Sequence, residues 1–161
     1  MFSTDVTDLV SARPATPADT EITAALAQQA MVTVRDERGG RWHLDHDSDA
    51  KDPQTRHVHA VQTADQQLVV GCIEGVVVGY GMAYLSPTID GQLCMIDELV
   101  VHPRAQAIGV GSEILAQVRS WAIATSCQAI ESQVLPGNRA AKNFFERVGM
   151  KTRKMRVSAD L

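Results

Sequence analysis

The fold class that this sequence predicts is α/β: a mixed, mostly antiparallel sheet flanked by helices. Three observations predict it. Residues 67–101 hold three β-rich runs divided by turn signals. Residues 102–125 pass from a strand end through a glycine turn into an amphipathic helix. Further helix and strand patterns stand on both sides, giving the order β-α-loop-β-β-β-α-β-α-β.

Residues 9–12 form a short first strand. Thr16-Pro17-Ala18-Asp19 follows as a helix start, with Thr16 as cap, Pro17 at the first helical position and Asp19 completing a capping box. Ile22, Ala25, Leu26 and Ala30 repeat at helical spacing and carry the helix to about Val34. Residues 35–60 are polar and poor in periodicity, with Gly39-Gly40 and Pro53. They predict a long loop with room for a helical turn, and 35–66 as a whole reads as a long polar loop or lid. Residues 68–73 and 76–80 pair as a hairpin around Glu74-Gly75. A second turn at 87–91 leads to a third strand over 92–101, which His102-Pro103 ends. Ile114, Leu115, Val118, Trp121 and Ala122 mark a helix over 109–125, with Trp121 as a packing residue. Residues 129–135 are a strand and Pro136-Gly137 a turn. Asn138 caps a helix holding Phe144, Phe145 and Val148, which Gly149 stops. A last strand is predicted over 152–158.

The chain's 161 residues suit one domain, 1–161. Its net charge of −4 speaks against non-specific nucleic-acid or membrane-surface binding. The first ten residues do not read as a signal peptide, and no apolar run is long enough to span a bilayer. Cys72, Cys94 and Cys127 are odd in number and widely spaced, with neither zinc spacing nor a disulfide framework. A cytoplasmic location is therefore expected.

The segment that carries chemistry runs from Asp97 to Ser112. Gln106, Ala107, Ile108, Gly109, Val110 and Gly111 join a strand to a helix. Such a turn leaves backbone N–H groups without partners at the positive end of the helix dipole, which makes an anion site. The glycines let a pyrophosphate approach. A glycine-containing helix start with no ligand is the plainer alternative. Two rival phosphate turns fit less well: the dinucleotide pattern lacks its third glycine, and Gly111 is not followed by Lys.

The Q-x-x-G-x-G turn resembles the coenzyme A signature of the GNAT superfamily of N-acetyltransferases. Residues 138–150, NRAAKNFFERVGM, are similar to that family's N-x-x-A-x-x-[FL]-Y-E-x-x-G-F segment. The resemblance covers roughly residues 9–158. It implies a sheet splayed between the fourth and fifth strands, with the pantetheine arm of acetyl-CoA between residues 97–101 and 129–135. It implies main-chain contacts from Leu99, Val100 and Val101. Gln106 to Gly111 and Ser112 would hold the pyrophosphate, and Asn138 and Asn143 the coenzyme arm. Phe145 stands where many members carry a tyrosine that protonates the departing thiolate, and phenylalanine has no proton to give. The implied reaction moves an acetyl group from acetyl-CoA to an amine by direct attack in a ternary complex. The partners implied are acetyl-CoA and an amine, with a homodimer expected at family level.

An attacking amine must lose a proton, and a carboxylate can accept it. Glu98 is the first candidate and Asp97 the second. The alternative is that both acids sit in salt bridges or pair with the substrate ammonium. Neighbours on a regular strand face opposite ways, so both serve one cleft only if a bulge intervenes.

Other residues admit more than one reading. Tyr80 and Tyr84 are the only tyrosines; Tyr84 is the candidate to reach the site as a proton donor in place of Phe145, and strand packing is the plainer role. His43, His46, His57 and His59 read as solvated loop histidines in preference to metal ligands. Asp45, Asp47, Asp49 and Asp52 make the loop acidic, and Trp42 there is either a substrate wall or a loop anchor. Arg139 and Lys142 face either the ribose phosphate or solvent. A non-catalytic coenzyme A-binding module is the second functional reading.

Overall fold

The computed structural model describes residues 9–46 and 52–161. β1 is Val10–Pro14, followed by a 3-10 turn at Pro17–Asp19 and α1 at Thr20–Asp36. Then come α2 (Gly40–His46), α3 (Pro53–Gln62), β2 (Gln66–Ile73), β3 (Val76–Thr88) and β4 (Gly91–Val101). A 3-10 turn at Pro103–Ala105 leads to α4 (Val110–Ala124), β5 (Ala129–Ser132) and α5 (Arg139–Arg147). The sheet order is β1-β2-β3-β4-β5. The first four strands are antiparallel, and β4 pairs in parallel with β5.

Strand alternation divides the core. Val69, Ala83, Cys94 and Ile96 face α4, where Val110, Ile114, Leu115, Val118 and Ala122 cover them. Leu68, Tyr80 and Met82 face the other way, onto Leu26 and Ala27 of α1 and Ala60 of α3. Trp121 packs against the α4-side core, as its spacing predicts. Two glycines set how closely α4 lies on the sheet. A β-carbon on Gly71 would stand 2.7 Å from Val110 Cγ1, and one on Gly81 only 2.6 Å from Ile114 Cγ2. The first turn of α4 thus rests on bare backbone.

The splay predicted between the fourth and fifth strands is present. Pairing covers only Leu93 to Ile96 against Ala129 to Ser132. From Asp97 to Val101, β4 continues with no registered partner on that side among the described residues.

Three expectations change. The loop predicted over 35–60 contains α2 and α3. The buried residues of α3 are Pro53, His57 and Ala60, a helical spacing whose central member is a histidine, so no aliphatic stripe marks it. The strand predicted over 129–135 stops at Ser132. Residues 152–158 form no strand. Met155 and Val157 stand almost fully exposed among basic residues, with neither a paired ladder nor a face to bury. Asp47 and Asp49 lie outside the described residues.

Candidate active site

The site starts from a fault in strand register. Met82 pairs with Glu98, and the next residue, Ala83, pairs with Ile96. Asp97 is therefore an extra residue, a bulge that bends β4 directly after its last pairing with β5. It also defeats the strict alternation of faces. Arg56 of α3 reaches both neighbouring acids, Nη1 donating to Glu98 Oε1 and Nη2 to Asp97 Oδ2.

Glu98 is held from two further directions. His57, with no exposed side-chain surface, has Nε2 3.3 Å from Glu98 Oε2 and Nδ1 2.9 Å from Thr23 Oγ1. The Tyr80 hydroxyl donates to the same Glu98 Oε2, and the Tyr80 ring meets His57 edge-on at 4.8 Å. Burial alone would raise the Glu98 carboxyl. Hydrogen bonds from His57 and Tyr80 and the Arg56 charge overcome that and bring it down to about 2. Asp97 behaves oppositely. Burial raises its carboxyl, the Arg56 charge opposes the rise, and the Glu98 charge adds to it. Its side chain is 39% exposed against 18% for Glu98, so Asp97 is the acid open to an incoming molecule. Burial and then the Asp97 charge raise the Tyr84 phenol, which places Tyr84 within electrostatic reach of this acid.

The glycine turn lies further along the same strand. Gln106 Nε2 donates to Val101 O at 3.1 Å. Ala107 takes a positive φ of 62° and Gly109 one of 103°, the latter as N-cap of α4. The left-handed step at Gly109 turns the chain so that the N–H groups of Val110, Gly111 and Ser112 point out of the helix start. Val110 and Ile108 anchor the turn in or against the core, while Gln106, Ala107 and Ser112 are exposed. A β-carbon on Gly111 would lie 3.4 Å from the Phe144 ring, so α5 closes one flank of the turn.

Other sequence candidates fall as follows. Leu99, Val100 and Val101 line the unpaired reach of β4 and are half-buried. Asn138 caps α5, its Oδ1 accepting from Ala141 N at 2.9 Å. Asn143 is exposed on α5. The Phe145 side chain belongs to the α4-side core, and Phe144 is the aromatic beside Gly111. Lys142 pairs with Glu146 at 3.6 Å. Trp42 stacks on His46 of its own helix at 4.0 Å, and Asp52 caps α3. His57 is the correction among the histidines: it is buried in the site, not solvated in a loop. No pattern in the sequence marks Arg56, Thr23 or Tyr80, or His57 as more than a loop histidine. The Asp52-Pro53 pair was the available signal, since it has the same cap-and-proline form as Thr16-Pro17.

A helix start with unpartnered backbone N–H groups, beside a strand that parts from its neighbour and with carboxylates where they part, is an arrangement suited to acyl transfer from a phosphate-bearing carrier. The model of the acetyltransferase (GNAT) family matches residues 28–150, and the chain belongs to that family. The family is one of acetyltransferases. A thialysine N-epsilon-acetyltransferase of Bos taurus is 31% identical over 74 residues, which span 45% of this chain and 44% of that protein. A mutant of the BH1408 protein from Bacillus halodurans superposes with a TM-score of 0.76 at 24% identity, over 93% of this chain and 98% of that one. Aminoglycoside N-acetyltransferase AAC(6')-Iy, in complex with CoA, gives 0.73 at 16% identity over 94% of both chains. The fold is common to this chain and the two solved structures. No helix among the described residues is long and apolar enough to cross a membrane.

Proposed function

We propose that this enzyme is an N-acetyltransferase that moves the acetyl group of acetyl-CoA to an amine by direct attack in a ternary complex. The observation that carries this reading is the bulge at Asp97. It brings a partly exposed carboxylate to the point where β4 leaves β5, on the strand that leads into the glycine turn. The backbone from Gln106 to Ser112 holds the pyrophosphate, and the main chain of Leu99, Val100 and Val101 aligns the pantetheine arm. Asn138 and Asn143 flank it from α5.

The amine nitrogen bonds to the thioester carbonyl carbon and loses a proton as the carbon–sulfur bond breaks. Asp97 takes that proton, directly or through one water. This reverses the order of the two acids expected from sequence. A carboxyl near 2 is a poor proton acceptor at neutral pH, whereas one pushed upward is a better one. Glu98 is then a fixed anion that anchors Arg56. With Phe145 lacking a hydroxyl, sulfur leaves as thiolate. A free thiol with pKa near 8.5 makes this a modest leaving group that needs no dedicated acid.

Release of free thiol from acetyl-CoA across a panel of amines, with the acetylated product identified by mass, tests the reading. Amine-dependent thiol release with matching N-acetyl product is expected. Thiol release that no amine accelerates would overturn it.

A further inference from the structure

Two adjacent carboxylates at one bulge would hold two negative charges against an incoming cation. Arg56 changes that count, since its two terminal nitrogens are spent on the two acids and its side chain is only 17% exposed. It enters from the first turn of α3, where Asp52 caps the helix. Glu98, fixed by His57 and Tyr80, holds the guanidinium in place, and the guanidinium in turn holds Asp97. Among the described residues, the other charged or titratable groups that interact with Asp97 are Glu98 of β4, His43 of α2, and Tyr80 and Tyr84 of β3.

We propose that Arg56 sets the charge selectivity of the acceptor site, cancelling one carboxylate so that singly charged amines are favoured over diamines. This rests on the amine-acetylating function proposed above. A second ammonium near Asp97 meets a fixed guanidinium, and like charges brought together at low exposure repel strongly. Removing the Arg56 charge makes the site one unit more negative, whatever else Arg56 touches.

The experiment compares wild type, Arg56→Gln and Arg56→Lys. Binding of butylamine and 1,4-diaminobutane to the coenzyme A-loaded protein is measured by calorimetry, and kcat/KM is measured for both amines. The expected result is a diamine-to-monoamine preference that rises about tenfold in Arg56→Gln and stays near wild type in Arg56→Lys, which keeps the charge. An unchanged ratio in Arg56→Gln overturns the inference, as does an equal rise in Arg56→Lys. Failure of both amines to bind any of the three proteins overturns it too. The proposed function is judged separately by thiol release with other acceptors. A merely structural role for Arg56 would weaken both amines alike and leave the ratio where it was.

Discussion

Burial acts on Asp97 and Glu98 alike, yet their partners divide them. Glu98 collects Arg56, His57 and Tyr80, and its carboxyl drops to about 2. Asp97 has a share of Arg56 and a like charge next door, and its carboxyl rises. Asp97→Asn is expected to lower kcat/KM for an amine by about 10²- to 10³-fold, in the range of a lost general base. Acetyl-CoA binding should be unaffected, as thermal stabilisation by the thioester will show. The pH profile follows from the sign of the shift. A base acts when deprotonated, so kcat/KM falls toward acid on a limb lying above the usual Asp value. Arg56 holds that limb down, so Arg56→Gln should move it to higher pH. Glu98→Gln acts differently. It replaces the charged two-oxygen acceptor of three buried or half-buried donors with a neutral amide that keeps one acceptor oxygen, and should cost about 1–3 kcal/mol in chemical denaturation.

At the scale of elements, the placement of α4 on β2 and β3 decides where the glycine turn points. Gly81→Ala puts a methyl group 2.6 Å from Ile114 Cγ2 and should destabilise the fold by about 1–3 kcal/mol, measured by urea unfolding. Gly109→Ala forces a side chain into φ 103°. It should reduce the shift in melting temperature that acetyl-CoA produces, beyond any loss in the free protein. Most of these elements were legible in the sequence, for physical reasons. α4 shows its apolar stripe because it lies on a sheet, and the β2–β3 hairpin shows its turn residues. α3 hid because its buried centre is a histidine bonded to Thr23 and Glu98, which a hydrophobic pattern reads as polar. The Asp97 bulge was likewise invisible as a position, since register is a property of two strands. Gly71 and Gly81 did carry a signal, because isolated glycines inside strands mark close approach.

Across the whole molecule, the Arg13–Asp19 pair ties β1 to the start of α1. Asp19 accepts from Arg13 at 2.7 and 2.9 Å and from Thr16 N at 2.7 Å. The Arg13 hydrogen bonds hold its carboxyl well below the usual range. A depressed folded-state carboxyl stabilises above its unfolded value of about 4 and loses that contribution as pH falls further. Asp19→Asn should therefore cost about 1–2 kcal/mol near pH 7, given that Arg13 is half exposed. The two stability curves should converge in acid. Glu98 adds to the same acid loss. Asp97, raised when folded, works the other way, its contribution fading as pH rises. The direct test of the central claim is single-turnover acetyl transfer from bound acetyl-CoA to an amine that wild type uses, in wild type and in Asp97→Asn. The account predicts stoichiometric N-acetyl product in wild type and a step slowed by about 10² or more in the variant at equal acetyl-CoA occupancy. Equal rates in the two proteins would contradict it.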